Sequence, residues 1–282
     1  MDTTKKFNGI ANEYTQSRPS YATEFIDCLF DKCGFSASSV VADIGSGTGK
    51  FAKQLLDKGC NVICVEPNTD MRLVAEKELC KYPNFKSVAG SAENTTLPDN
   101  SVDFITTAQA FHWFDTQSFK TECSRIIKPE GKAFLIWNTR NNEELINQEL
   151  HRVYSKYCPE FKGFSGGTKP HDDRIKYFFD NNYEYIPFDN PLYFDREKFI
   201  NRSLSGSYSL KKGDSNFDLY IEEIEKIFDE FETDGIVKIE NQTVAYIGIL
   251  EKKRFNMNRQ YAEKLIVGKQ VKLIPNIKRK DA

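Results

Sequence analysis

The residues whose types and spacing could handle a ligand are Asp43-Ile44-Gly45-Ser46-Gly47-Thr48-Gly49 and, one helix's length further on, Glu66-Pro67. Alternating glycines let the backbone bend sharply and meet a ligand with no Cβ in the way. The acid beyond them offers two oxygens to hydroxyl donors. Spacing then separates the ligands such a turn could serve. A triphosphate loop needs Gly-x-x-x-x-Gly-Lys-Ser/Thr, but Ile44 stands five residues before Gly49 and Phe51 follows Lys50. A dinucleotide turn needs a small residue three after Gly47, and that residue is Lys50. The nicotinamide reading is weakened by this, although the acid at Glu66 keeps it open.

Such residues act only if the chain brings them together, and the apolar pattern says how. Val40, Val41 and Ile44 form a short run suited to a buried strand. Phe51, Leu55 and Leu56 recur at helical spacing, with Gly59 as the stop. Cys60 to Val65 reads as the second strand, which lands Glu66 at its carboxyl edge beside the glycine turn. In open α/β sheets that crevice is where nucleotide-like ligands bind. A helix over Ser20 to Cys33 precedes this unit, and the spacing predicts helices after Asn68 and Asp115, with strands over Phe85–Ala89, Val102–Thr107 and Lys132–Trp137. Pro129-Glu130-Gly131 reads as a turn before the last of these. Regular alternation implies right-handed crossovers and a doubly wound α/β sheet. Strand four then delivers Ala108 to Phe114 to the same edge as Gly45 and Glu66.

The third ligand that fits a glycine turn with a downstream acid is S-adenosylmethionine, which has no phosphate but carries an amino-acid end, a ribose diol and an adenine. Asp43-x-Gly45-x-Gly47-x-Gly49 resembles the first motif of class I S-adenosylmethionine-dependent methyltransferases, and Glu66 matches the acid that holds the ribose in that superfamily. Gly90-Ser91-Ala92-Glu93 and Leu97 to Asp103 resemble its adenine-side stretch. Gln109-Ala110-Phe111-His112-Trp113-Phe114 is similar to the loop after strand four in trans-aconitate methyltransferase-like, type 11 members. The resemblance implies a seven-stranded, mostly parallel Rossmann-like sheet with an antiparallel pair of strands at its edge and a helical substrate lid. It implies cofactor contacts at Asp43, Gly45, Ser46, Gly47, Glu66, Pro67, Met71, Ala92, Glu93, Ala108, Gln109 and Ala110. On the acceptor side it implies Tyr14 and Arg18 from an N-terminal lid, together with Phe111, His112 and Trp113.

Methyl transfer from an activated sulfonium asks the protein mainly to position the acceptor and shield the cation, so aromatic faces suit the wall of such a pocket. His112, with a pKa near neutrality, is the candidate general base. A carboxylate acceptor arrives ionised and needs no base, which favours a hydrogen-bonding role for His112 in holding the loop or the substrate. Arg18 offers a guanidinium to a carboxylate, whether of cofactor or substrate. The subfamily resemblance, together with Arg18, implies a small acid methylated on oxygen as the acceptor, with carbon or nitrogen methylation, a nicotinamide oxidoreductase and a non-catalytic cofactor-binding module as the alternatives.

The remaining sequence sets bounds. The chain of 282 residues carries 39 Lys and Arg against 41 Asp and Glu, a balance that argues against general nucleic-acid binding. The N-terminus has no apolar stretch of the signal-peptide kind, and no segment approaches the ~20 apolar residues of a membrane helix, so the cytosol is expected. Seven cysteines without a Cys-x-x-Cys pair, and three scattered histidines, read as reduced thiols and no zinc site. The organisation expected is an N-terminal lid and helix over 1–38, the cofactor-binding core over 39–140, a lid insertion with an edge strand over 141–235, the last core strand over 236–250, with strand-like runs at Val237–Glu240 and Thr243–Leu250, and a basic extension over 251–282. In the insertion, a helix over Asn141–Tyr157, a Gly- and Pro-rich loop to His171, a broken strand over Tyr183–Phe194, and helices to Leu204 and over Phe217–Phe231 are expected.

Overall fold

The computed structural model describes residues 19–164 and 170–250. Tyr14, Arg18 and the basic extension 251–282 lie outside the described residues. Strands β1 (Val40–Ile44), β2 (Asn61–Val65), β3 (Phe85–Val88), β4 (Val102–Ala108) and β5 (Ile127–Arg140) are linked by helices α2 (Lys50–Asp57), α3 (Thr69–Leu79) and α4 (Thr116–Ile126), after an opening helix α1 (Thr23–Asp31). Beyond them come α5 (Leu145–Tyr157), α6 (Asp173–Phe178), β6 (Glu184–Asp189), β7 (Leu192–Phe194), α7 (Arg196–Leu204), α8 (Phe217–Phe231), β8 (Val237–Ile239) and β9 (Asn241–Ile249). Seven strands form one sheet in the order β3-β2-β1-β4-β5-β9-β6. The first five pair in parallel, and β9 runs antiparallel to both β5 and β6. This is the doubly wound, mostly parallel sheet with an antiparallel edge that the motif order implies.

The alternation of side chains across β5 divides the core. Phe134 and Ile136 pack with α1 and α2 around Phe25, Leu29, Phe51 and Leu55. Leu135 and Trp137 face the other way, onto Phe111, Phe119, Ile126 and Phe178. A period of two on a strand with both faces covered requires this. The predicted turn at residues 129–131 survives inside β5 as a bulge: Val102 pairs with Ile127 but Phe104 with Lys132, and Glu130 takes φ +67°. Lys128 Nζ meets Asp103 Oδ1 at 2.7 Å across this bulge.

The C-terminal half departs from the expected layout in three places. Residues 237–239 do not join the main sheet: β8 pairs only with β7 as a two-stranded ribbon, and the last core strand starts at Asn241. The helix expected from Asn141 starts at Leu145, because the Asn141 side chain accepts from Glu143 N at 3.0 Å and closes a turn first. The third departure is α6, a six-residue helix capped by Asp172, which accepts from Arg174 N. It is too short to show a periodicity. Its Ile175 and Phe178, with Phe179, belong to the core of the main sheet rather than to a lid. The rest of the insertion has a separate apolar centre where α5, α7 and α8 meet the ribbon, around Leu150, Tyr154, Phe199, Tyr220, Ile224 and Phe228.

The seating of α6 rests on a close approach. A Cβ added to Gly248 on β9 would lie 2.5 Å from Phe179 Cδ1 and 2.8 Å from Asn182 O. Gly248→Ala is expected to cost about 1 to 3 kcal/mol by overpacking, read as a lower denaturant midpoint at unchanged slope. An unchanged midpoint would mean that α6 is not held against β9.

Candidate functional site

Glu66 does the local structural work at the carboxyl edge. Its Oε2 accepts from Gly47 N at 2.9 Å and its Oε1 from Asn68 N at 2.8 Å. One carboxylate thereby ties the glycine turn after β1 to the turn that starts α3. Gly45 N and Ser46 N also reach the last residue of β2, donating to Val65 O. Gly45 has φ +69°, and a Cβ there would meet the Ala110 methyl at 2.7 Å and the Phe114 ring at 2.8 Å, so only glycine fits between the turn and the loop after β4. Gly47, at φ +55°, has nothing within 4 Å of where its Cβ would be. Its backbone therefore lies open to a ligand.

Asp43 sits beneath this turn, 1% exposed. Thr106 Oγ1 donates to its Oδ1 at 2.8 Å, whereas its Oδ2 and the hydroxyl of Ser46 have no partner among the described residues. Burial, and then the charge of Glu66, push the Asp43 carboxyl up to about 7 against the relief of the Thr106 bond. Burial also raises the Glu66 carboxyl, opposed by its two backbone donors and by Arg72. Two buried acids without a cation between them are costly. A cationic ligand would relieve both.

These groups border a cavity of about 190 Å³. Gly45, Ser46 and Gly47 line it, as do Glu66, Pro67, Met71, Ala92, Glu93, Ala108, Gln109 and Ala110. Asp43 is thus the one residue proposed for the cofactor that lies behind the wall rather than in it. Glu93 Oε1 accepts from Asp115 N at 3.1 Å, which joins the adenine-side loop to the start of α4. On the acceptor side, Trp113 lines the cavity, with Phe114 beside it. Phe111 does not, and this corrects the expectation: it is 1% exposed and packs in the core against Phe119, Trp137 and Phe178. The reason is geometric. Residues 111–113 form a single 3-10 turn, so adjacent rings diverge, and Phe111 falls on the sheet side. The His112 ring lies tilted against Trp113, centroids 4.8 Å apart, and is not among the cavity-lining residues.

Of the other lining residues, Asn138 and Arg202 carried no sequence signal, whereas Pro19 and Tyr21 belong to the N-terminal pattern Phe7, Tyr14, Arg18-Pro19, Tyr21 that resembles the family's lid. Asn138, near the end of β5, takes a place in the wall, and its backbone carbonyl accepts from Gln109 Nε2 at 2.9 Å. Its side chain belongs to a polar cluster: Thr243 Oγ1 donates to Asn138 Oδ1 at 2.7 Å, and Asn190 Nδ2 donates to Ser20 O at 2.9 Å. Ala22 N donates to Thr243 Oγ1 at 2.9 Å, and Gln54 exchanges two hydrogen bonds with the backbone of Tyr21. The chain entering α1 is therefore pinned where Pro19 and Tyr21 line the cavity. Arg202 reaches the same cavity from α7 in the insertion. A larger cavity, about 560 Å³, lies by Trp137, Arg140, Tyr185 and Tyr246, away from the glycine turn. Size does not decide here, because the converging backbone amides and buried acids belong to the smaller one.

Comparison with known proteins follows this geometry. Residues 42–135 match the family described as Methyltransferase domain. The fold is the Rossmann-like methyltransferase fold. An uncharacterized methyltransferase of Mycobacterium tuberculosis is 37% identical over 155 residues, which are 55% of this chain and 61% of that protein. A Saccharomyces cerevisiae protein named a probable S-adenosylmethionine-dependent methyltransferase is 30% identical over 149 residues, 51% of this chain and 50% of its own length. The YcgJ protein of Bacillus subtilis superimposes with a TM-score of 0.55 at 18% identity, covering 82% of this chain and all of that one, a likeness of fold alone. The chain thus spans about three-fifths of the length of the first curated relatives it matches. Within the methyltransferase fold, the glycine turn and Glu66 stand at the ends of adjacent strands β1 and β2, and Trp113 follows β4, the strand on the other side of β1.

The titration of Asp43 gives a test that needs no ligand. An acid with a folded pKa of about 7 against an ordinary 3.8 holds its proton in the folded chain, so unfolding releases it and stability falls as pH rises between those values. Asp43→Asn, neutral throughout, should gain on the wild type in denaturant midpoint as pH climbs from about 4 to about 7 and hold that margin above. A margin independent of pH would show that Asp43 titrates normally.

Proposed function

We propose that this chain is an S-adenosylmethionine-dependent methyltransferase acting on a small-molecule acceptor, with a carboxylate oxygen as the accepting atom. The observation that carries the reading is the clamped glycine turn: one buried carboxylate fixes Gly47 and Asn68, and a second lies beneath, with an unpartnered oxygen. Each Glu66 oxygen keeps a lone pair beyond its backbone bond, enough for the two hydroxyls of a ribose. Asp43 Oδ2 and the Ser46 hydroxyl give polar capacity beside the turn for a cationic amino-acid end. A pyrophosphate set against Glu66 and Asp43 would instead meet two acids, which weighs against the nicotinamide alternative. The cofactor named for the yeast relative agrees with this choice.

Held by Glu66 at the ribose and by Asp43 and Ser46 beside the turn, S-adenosylmethionine would supply an activated methyl group to an acceptor lone pair, with the electron pair of the broken carbon–sulfur bond left on sulfur. The chain's own residues position and shield. Trp113 and Phe114 present aromatic faces to the cavity, Gln109 and Asn138 present amides, and Tyr21 and Pro19 close the N-terminal side. Among the described lining residues there is no histidine, and both lining carboxylates, Glu66 and Glu93, accept from backbone N–H groups. An acceptor that arrives ionised needs no proton removed, which favours a carboxylate over an ammonium or a carbon acid. His112, tilted against Trp113 and off the cavity wall, then holds the loop rather than acting as a base. The free thiols suit a reducing compartment such as the cytosol. No described helix is long and apolar enough to cross a membrane.

Calorimetric titration with S-adenosylmethionine, S-adenosylhomocysteine and NAD tests the assignment. Both adenosyl compounds should bind and NAD should not. Glu66→Ala should weaken them about 10- to 100-fold, as expected for removing a charged hydrogen-bond acceptor that also holds the turn. Binding of NAD alone, or adenosyl binding indifferent to Glu66, would overturn the reading.

A further inference from the structure

The larger cavity, about 560 Å³, shares no described lining residue with the one at the glycine turn. Asn138 lines the first, while its neighbours Trp137 and Thr139 line the second, as alternation along a strand requires. Its volume is that of a small-molecule site. Two donors in its wall have nothing to donate to. Arg140 lays its guanidinium over the Phe164 ring at 4.4 Å, and among the described residues it makes no ion pair and its buried Nη1 has no hydrogen-bond partner. Trp137, 2% exposed, packs at right angles to the Phe111 and Tyr246 rings, and its Nε1 is likewise without a partner. A guanidinium and an indole can only donate. Donors withdrawn from water with no acceptor cost free energy, a charged one most of all.

Acids line this cavity too, yet none of them neutralises Arg140. Glu240 Oε1 pairs with Lys238 Nζ at 2.5 Å, and Asp189 Oδ1 accepts from Gln242 Nε2 at 3.0 Å. Glu143 and Glu144 stand just before α5, and Glu144 takes the capping position without a side-chain cap bond. One cation thus shares the described lining with several carboxylates. A phosphate or a polyacid entering here would meet like charges. A neutral ligand would leave Arg140 unpaired. A molecule that carries both charges answers both sides. Its apolar part has a surface as well: the Tyr185 and Tyr246 rings lie 5.0 Å apart, and Tyr246 Oη accepts from His171 N at 3.2 Å. Burial pushes the Tyr246 phenol up to about 12, so it stays neutral.

We infer that this second cavity is a binding site for a free α-amino acid with an apolar or aromatic side chain. The carboxylate pairs with Arg140, the ammonium faces the lining acids, and the side chain packs against Tyr185 and Tyr246. Stacking on Phe164 occupies the face of the guanidinium and leaves its edge, which carries the N–H groups, for a carboxylate. The pairing replaces an unsatisfied cation by a charge-assisted contact, and the ammonium removes the repulsion that a bare anion would meet. The site stands apart from the methyltransferase reading, since it needs neither the glycine turn nor Glu66. No bond is made or broken in it.

The test is calorimetric titration of the full chain with L-leucine, L-phenylalanine and L-tryptophan. Phenylalaninamide, 3-phenylpropionate and inorganic phosphate serve as comparators, each lacking one of the features argued above. At least one amino acid should bind, and phenylalanine should bind about tenfold or more tightly than its amide or 3-phenylpropionate. Arg140→Gln should weaken that binding about 10- to 100-fold, with Arg140→Lys between the two. Tyr185→Ala, a change at a partly exposed residue of the edge strand β6, should weaken phenylalanine severalfold and keeps the test open if Arg140→Gln does not fold. Saturating S-adenosylhomocysteine should leave the amino-acid affinity unchanged. No binding of any amino acid, equal binding of the amide or of 3-phenylpropionate, preference for phosphate, or affinity indifferent to both variants would overturn the assignment. Competition by S-adenosylhomocysteine would place the amino acid in the first cavity and overturn it as well.

Discussion

The bond pair from Glu66 to Gly47 N and Asn68 N is the constraint on which the rest of the edge depends. A glycine turn is conformationally permissive, and permissiveness is an entropic liability unless something fixes the turn. Here the fixing group is a buried carboxylate delivered by the neighbouring strand. Register makes this possible: Ile44 pairs with Val65, so the residues that follow each strand emerge side by side. The cost is a raised carboxyl at Glu66 and a strongly raised one at Asp43 below it. Fully satisfied structural acids do not carry that strain. Its presence beside an open backbone turn marks the place where a cation completes the electrostatics.

The first half of this architecture was legible in the sequence because each of its signals is local. Asn68 and Asp115 cap the helices they precede, and Gly45 and Gly47 turn the backbone at positive φ. Strand runs bounded by such signals leave little freedom, and parallel pairing with right-handed crossovers then sets the order of strands. What the sequence concealed depends on non-local packing. Whether Phe111 or Trp113 faces the cavity is decided by a single 3-10 turn, in which a one-residue change of phase exchanges core for wall. Six residues of α6 carry no period, and the ribbon strand Val237–Ile239 differs from a core strand only in its partner. Asn138 and Arg202 stand in segments where nothing in residue type or spacing points to a ligand.

The insertion is held to its own apolar centre and the core to its two, so the cavity is walled by units with separate stabilisation. The connection between them runs through polar groups: Asn190, Asn138, Thr243 and the backbone of Ser20 and Ala22 join the start of α1 to β5, β9 and the entry to β7. Side-chain amides and hydroxyls are good joints for this purpose, since they fix position without requiring a continuous apolar interface. Of these, Asn138 lines the cavity. Substrate preference can therefore change with the insertion while the glycine turn and its acids stay as they are.

That separation accounts for the division of charge around the cavity. At the turn, the protein supplies acids and open amides, complementary to a ligand that is cationic and rich in hydroxyls. Across the sheet, it supplies aromatic faces, amides and a guanidinium whose backbone is fixed by Ser203. Under the proposed methyl transfer the positive charge of a sulfonium is lost, which a tight anion beside it would oppose. The fixed acids stay at the glycine turn, and the aromatic faces of Trp113 and Phe114 line the cavity after β4, where the loss of that charge is least opposed.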